Sequence, residues 1–154
     1  MATVYSDVET QLTQNTPREH VKANELGGEV RVARATYEAT SLASGDVINM
    51  FTLPDGARIL QGSLAHDAMG SSTTLSVGFA AHTNAAGTAV SASAAAYKAA
   101  AASTSAQIVD VANTLALLDG EEVDANQDGK TVTVTMGGAA GTGTVALTML
   151  YVTV

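Results

Sequence analysis

The chain has 154 residues, enough for one domain around one core, and carries seven Lys or Arg against fifteen Asp or Glu for a formal net charge of −8. That balance argues against a nucleic-acid binder, which needs a basic face to displace counterions from phosphates. The absence of cysteine excludes disulfides, iron–sulfur clusters, thiolate zinc sites and cysteine nucleophiles.

Only 14% of residues are charged, well below the roughly 25% of an average soluble domain. Part of the surface is therefore expected to be covered by partner chains; the alternative is a monomer with a Thr/Ser exterior. The start MATVYSDVET lacks the basic and apolar regions of a secretory signal. No apolar run approaches the roughly 20 residues of a membrane helix, so a soluble chain without membrane contact is expected.

Residues 1–28 are polar and aperiodic, with Pro17 and the Gly27-Gly28 pair, and read as an extended N-terminal arm or a disordered terminus. A single β domain is expected over 29–154. Its first strand places Val30 and Val32 on one parity, then Ala33, Ala35 and Tyr37 on the other, which predicts a bulge between the two sets. The segment GDVINMFTL is apolar on both parities and predicts a strand covered on both faces, by core or by a neighbour. A Pro54-Asp55-Gly56 turn leads into a further strand, and TTLSVGFA predicts Leu75, Val77 and Phe79 inward.

Between residues 85 and 107, twelve of 23 positions are alanine. High alanine content predicts a short helical insertion over about 91–103. The segment IVDVANTLALLDG then predicts one or two strands, bent near Asn113. Two strands close the chain, one burying Val132, Val134 and Met136, the other Val145, Leu147, Met149 and Tyr151. About eight short strands separated by Asp-Gly and Gly-rich turns predict an all-β sandwich or barrel.

Chemistry-bearing motifs are sparse. Residues 124–130, DANQDGK, place Asp124, Asn126 and Asp128 at the first three ligand positions of an EF-hand loop, with Gly129 at its sharp turn. The bidentate Glu required at position 12 is replaced by Thr135, and the following residues are strand-like. The segment therefore reads as an Asp-Gly turn, with these three residues a weak calcium candidate inside an acidic loop, 119–128. No cofactor is expected. His20, His66 and His82 share no ligand spacing, and His66-Asp67 are neighbours whose side chains leave a strand on opposite faces. His66 reads as a satisfied surface residue. Neither a nucleophile elbow nor a P-loop occurs, so no catalytic residue is expected and the chain reads as non-enzymatic.

Residues 28–79 carry Gly45-Asp46-Val47-Ile48, then Leu53-Pro54-x-Gly56-Ala57-Arg58, then Gly70-x-Ser72-Thr73-Thr74-Leu75-x-Val77-Gly78. This stretch, about a third of the chain, resembles the small virion proteins that decorate or cement the heads of tailed bacteriophages. The resemblance implies a jelly roll or related β-sandwich on the outer surface of the capsid, assembled in the host cytoplasm. It implies the major capsid protein as partner, and self-association, as a trimer more than a dimer. The mechanism would be mechanical, bridging shell subunits against internal DNA pressure. Capsid or subunit contacts would fall on Arg18, Lys22 and Leu26 of the arm and on Ile48 and Met50 of the doubly apolar strand. The acidic loop would face outward. The alternative is a β-sandwich binding module on the virion, directed at a host surface or glycan, for which four Tyr and two Phe offer few stacking residues.

Overall fold

The computed structural model describes residues 6–14, 17, 20–22, 26–112, 114 and 121–153. Among the described residues ten strands follow one another: β1 (Val30–Leu42), β2 (Val47–Leu53), β3 (Arg58–His66), β4 (Thr73–Phe79), β5 (His82–Thr83), β6 (Ala89–Val90), β7 (Ser93–Ala102), β8 (Gln107–Val111), β9 (Lys130–Gly138) and β10 (Gly141–Val152). Their pairing is nested. β1 pairs β10, β2 pairs β9, β3 pairs β8 and β4 pairs β7, all antiparallel. The chain is thus one long hairpin, rolled up and sealed by two further pairings, β10 with β3 and β9 with β4.

Rolling divides the strands into two four-stranded sheets, ordered β1-β10-β3-β8 and β2-β9-β4-β7. This is the jelly-roll arrangement, in which most connections step from one sheet to the other. The short hairpin β5-β6 sits in the connection between β4 and β7, at the tip of the long hairpin. For brevity, the β1-containing sheet is the first and the β2-containing sheet the second.

The core lies between the sheets and comes mainly from the four central strands. Val132, Val134 and Met136 of β9 and Val145, Leu147 and Met149 of β10 are completely buried. Leu75 and Val77 of β4 and Leu64 of β3 complete the facing rows. Each such side chain contributes roughly 1.5–3 kcal/mol relative to exposure. Large side chains are few, so many medium-sized ones held by ladders on both sides take their place. Phe79 and Tyr151, expected inward, are partly buried and pack on this core.

Several expectations are corrected. The alanine tract forms no helix over 91–103; Ser93–Ala102 is an edge strand of the second sheet. Alanine's helical preference is worth only tenths of a kcal/mol per residue, and a helix of about twelve residues is marginal alone. Here the nested pairing supplies a free edge on β4, and Tyr97 anchors the tract at 2% exposure. β7 runs longer than its partner stretch, and the surplus is taken up in two register shifts.

The bulge expected near Val32 is also absent. β1 stays in register with β10 from Val30 to Ala39, and the irregularity falls between Ala39 and Leu42, where Ser41 has φ 54°. Val30 and Val32 instead face solvent, at 58% and 60% exposure. The doubly apolar strand β2 has a different explanation from coverage on both faces. A register shift at Met50 turns the strand over, so Ile48 before it and Leu53 after it both enter the core, while Val47 stays 55% exposed. In the N-terminal segment, Asp7–Glu9 and Thr10–Gln14 are short helical turns, so that stretch is not extended.

Candidate interaction surfaces

The acidic loop is a seam rather than a free solvated run. Val123 and Ala125 alternate with its carboxylates and are fully buried. Val123 N–H donates to Ala57 O (2.8 Å), Gly56 N–H to Val123 O (2.9 Å), and Asn126 N–H to Thr83 O (2.8 Å). These bonds stitch residues 121–128 to the β2–β3 turn on one side and to β5 on the other. The carboxylates serve the same purpose. Asp55 accepts from Ala125 N–H at 3.1 Å, and Asp124 accepts from Ala85 N–H at 3.0 Å.

The calcium candidates do not converge on one point. Asn126 donates to Asp128 at 2.9 Å and accepts the Asp128 N–H at 3.0 Å, which closes an Asx-type turn, while Asp124 points at the β5–β6 hairpin. Gly129 follows with φ 76° and opens β9. Among the described residues, no group of three or more His, Cys, Asp or Glu is placed to hold a metal ion. Asp119 lies outside the described residues.

The two glutamates at the head of the loop are ion-paired. Glu121 accepts from Lys130 Nζ at 3.4 Å and from the Tyr97 hydroxyl at 3.5 Å, and Lys130 is nearly buried with its ammonium 4.8 Å from the Phe79 ring centroid. Burial, reinforced by the Glu121 charge, pushes the Tyr97 phenol well above its ordinary pKa. Glu122 pairs with Lys22 of the arm at 2.9 Å. Asp124 and Asp128 are exposed, whereas Glu121 and Glu122 are half-buried.

The expected contact residues scatter. Lys22 is tied to Glu122, Leu26 is 54% exposed, Ile48 is core at 5%, and Met50 is half-buried at the β2 bulge. Arg18 lies outside the described residues. His66 is buried at 7% rather than on the surface, with Nδ1 2.8 Å from Asp67 O. The Asp67 carboxylate accepts the Thr144 N–H at 2.9 Å, and the Thr144 bonds hold its pKa below the ordinary carboxylate value. The pair is a strand-end clasp that ties the end of β3 to β10.

What the strand patterns did not single out is the outer face of the first sheet. Register aligns Thr36, Ala146, Ala65 and Ile108 in one row, and Arg34, Thr148, Ser63 and Asp110 in the next. Ile108 is 75% exposed, the highest among the exposed large hydrophobic residues described. Two shallow grooves run over this face. One, of about 310 Å³, is lined by Ala65, Ile108 and Ala146; the other, of about 280 Å³, by Ser63, Asp110 and Thr148. Small side chains leave the centre of the face flat. The alternation of Gln107-Ile108-Val109-Asp110 was the available signal, but a five-residue edge strand does not announce which face is inner.

The fold belongs to the jelly-roll class of β-sandwiches. No known family model and no curated protein sequence matches the chain. Among solved structures, a chain of the capsid of Ralstonia phage GP4 aligns with TM-score 0.61 at 22% identity, over 82% of this chain and 86% of its own. A chain of the cyanophage Pam1 capsid asymmetric unit aligns with TM-score 0.58 at 21% identity, over 92% and 99%. A third, from the acidic stable capsid of Helicobacter pylori bacteriophage KHP30, gives 0.52 at 18% identity, over 80% and 86%. At these identities the likeness is one of fold, and it covers 80–92% of this chain.

Proposed function

We propose that the chain is a non-enzymatic structural protein of a tailed-phage virion that decorates the outside of the head and bridges subunits of the major capsid protein. The observation that carries this reading is the whole-length likeness to chains of three phage capsids. Those chains are close to this one in length, since most of each is covered, so a whole small jelly roll is matched rather than a fragment of a larger shell-former.

Composition adds weight. A chain with 14% charged residues and several exposed large hydrophobic side chains gains by burying surface in an assembly. Each bridging contact favours the assembled shell over separated subunits through mass action, with no chemistry required. In this proposal residues 1–28 form the attachment arm, including Arg18, Lys22 and Leu26, and 29–154 the body. Self-association is part of this proposal, with the trimer implied by the resemblance and a two-fold pair as its two forms. Among the described aromatics, Phe79, Tyr97 and Tyr151 pack against the core, which leaves little for a glycan-stacking groove.

Cosedimentation with DNA-free phage shells tests the reading. Saturable pelleting of the folded chain is expected, together with a higher dissociation temperature of the loaded shell. A chain that stays in the supernatant and binds glycans instead would replace this reading with the binding-module alternative.

A further inference from the structure

We infer that the outer face of the first sheet is a self-association surface, taking the same face of a second copy about a two-fold axis nearly parallel to the strands. The inference holds whether or not the chain docks on a shell. It rests on the row Arg34–Thr148–Ser63–Asp110, which crosses all four strands with a cation on one edge and an anion on the other. Both end residues are exposed, and neither side chain has a hydrogen bond or ion pair among the described residues. Three strand spacings separate them, about 14 Å, so they do not pair within one copy.

Two sheets packed face to face keep their strands within about 30° of each other. An in-plane two-fold axis along the strands exchanges the edges of the sheet and leaves the row in place. Arg34 of each copy then faces Asp110 of the other, and the interface gains two ion pairs. An in-plane axis across the strands does the opposite, setting Arg34 against Arg34 and Asp110 against Asp110. The charges thus select one of the two closed arrangements and oppose the other.

The neighbouring row fits the same arrangement. Thr36 of one copy lies over Ile108 of the other, so the most exposed large apolar side chain is covered twice. Between them Ala146, Ala65, Thr148 and Ser63 are small enough for close approach, and the two shallow grooves lie over these positions. The face measures about 20 by 25 Å from strand spacing and rise, which places the contact at the small end of specific interfaces. Its stability therefore depends on the ion pairs and on protein concentration.

The test is the mass of the intact chain by light scattering and sedimentation equilibrium at low and high salt. A dimer is expected that weakens with salt. Arg34→Asp and Asp110→Arg alone should each weaken it at least tenfold, and the double exchange Arg34→Asp/Asp110→Arg should restore it. Circular dichroism melts check that each variant is folded, and Thr36→Ser serves as a mild control on the same face. A monomer at about 100 µM, a trimer, single variants that dimerise like the wild type, or a double exchange that fails to recover would each overturn the inference.

Discussion

Gly78 shows how tightly a single residue can be constrained in this fold. It lies in β4 where the start of β7 crosses, and a Cβ built there would overlap the Ser93 carbonyl and Ala94. Backbone cannot give way as a side-chain tip can. Gly78→Ala should therefore cost about 3 kcal/mol, a fall in melting temperature of roughly 6–12 °C for a domain of this size. A melting temperature within 2 °C of wild type would show that β7 does not cross there. A second residue-scale prediction concerns the polar end of the core. Glu121→Gln leaves the nearly buried Lys130 without its counter-charge and should cost about 2 kcal/mol, less than a fully buried pair because Glu121 is partly exposed. Urea midpoints measure this directly. The same cluster bears on stability at alkaline pH. The folded Tyr97 phenol has a raised pKa, so its contribution is fully present below the unfolded value near 10 and is lost as pH rises above it. Stability should decline above pH 10, and Tyr97→Phe should flatten that decline. Asp67 acts with the opposite sign: its lowered pKa gives stability at neutral pH that is lost as pH falls below its ordinary value of 3.8.

At the scale of elements, β4, β9 and β10 were readable because their alternation is unbroken and their inward residues are large. TVTVTM and TVALTM set their large residues on one parity, and those expected rows are buried, with Thr133 of the other parity covered as well. Where a strand carries a bulge, alternation misleads. β2 looked covered on both faces because a register shift at Met50 changes the inward parity midway. β1 looked bulged because two exposed valines mimic a second apolar face. The alanine tract misled for another reason: its local preference is weak, and the partner that overrides it lies about twenty residues away in β4. This yields a test. On the exposed positions of β7, Ala100→Thr should leave stability unchanged or raise it by a few tenths of a kcal/mol, as befits a strand. In a helix the same change should cost about 0.5 kcal/mol or more. The acidic loop was half legible. Its Asp-Gly turn followed from the missing Glu at Thr135, but the seam made by Val123 and Ala125 depends on partners in the β2–β3 turn and β5 that no local pattern reveals.

For the whole molecule, the nested pairing explains how a chain with no tryptophan and few aromatics keeps one core. Every strand but the short β5 and β6 is tied to a partner far along the sequence, so packing is shared across the roll rather than concentrated in a few large side chains. Pairing of β1 with β10 also sets Val30 and Val152 side by side. The Lys22–Glu122 pair ties the N-terminal segment to the acidic loop, and Lys22→Ala should cost no more than about 1 kcal/mol, with the effect shrinking in salt. Deleting residues 1–27 should therefore leave the β body folded while weakening attachment to a shell. The measurement that bears most directly on the proposed role is quantitative cosedimentation of the intact, folded chain with DNA-free phage shells built of major capsid protein alone. Saturable binding that raises the temperature at which the shells come apart is the predicted result; a folded chain that remains in the supernatant and leaves that temperature unmoved would contradict it.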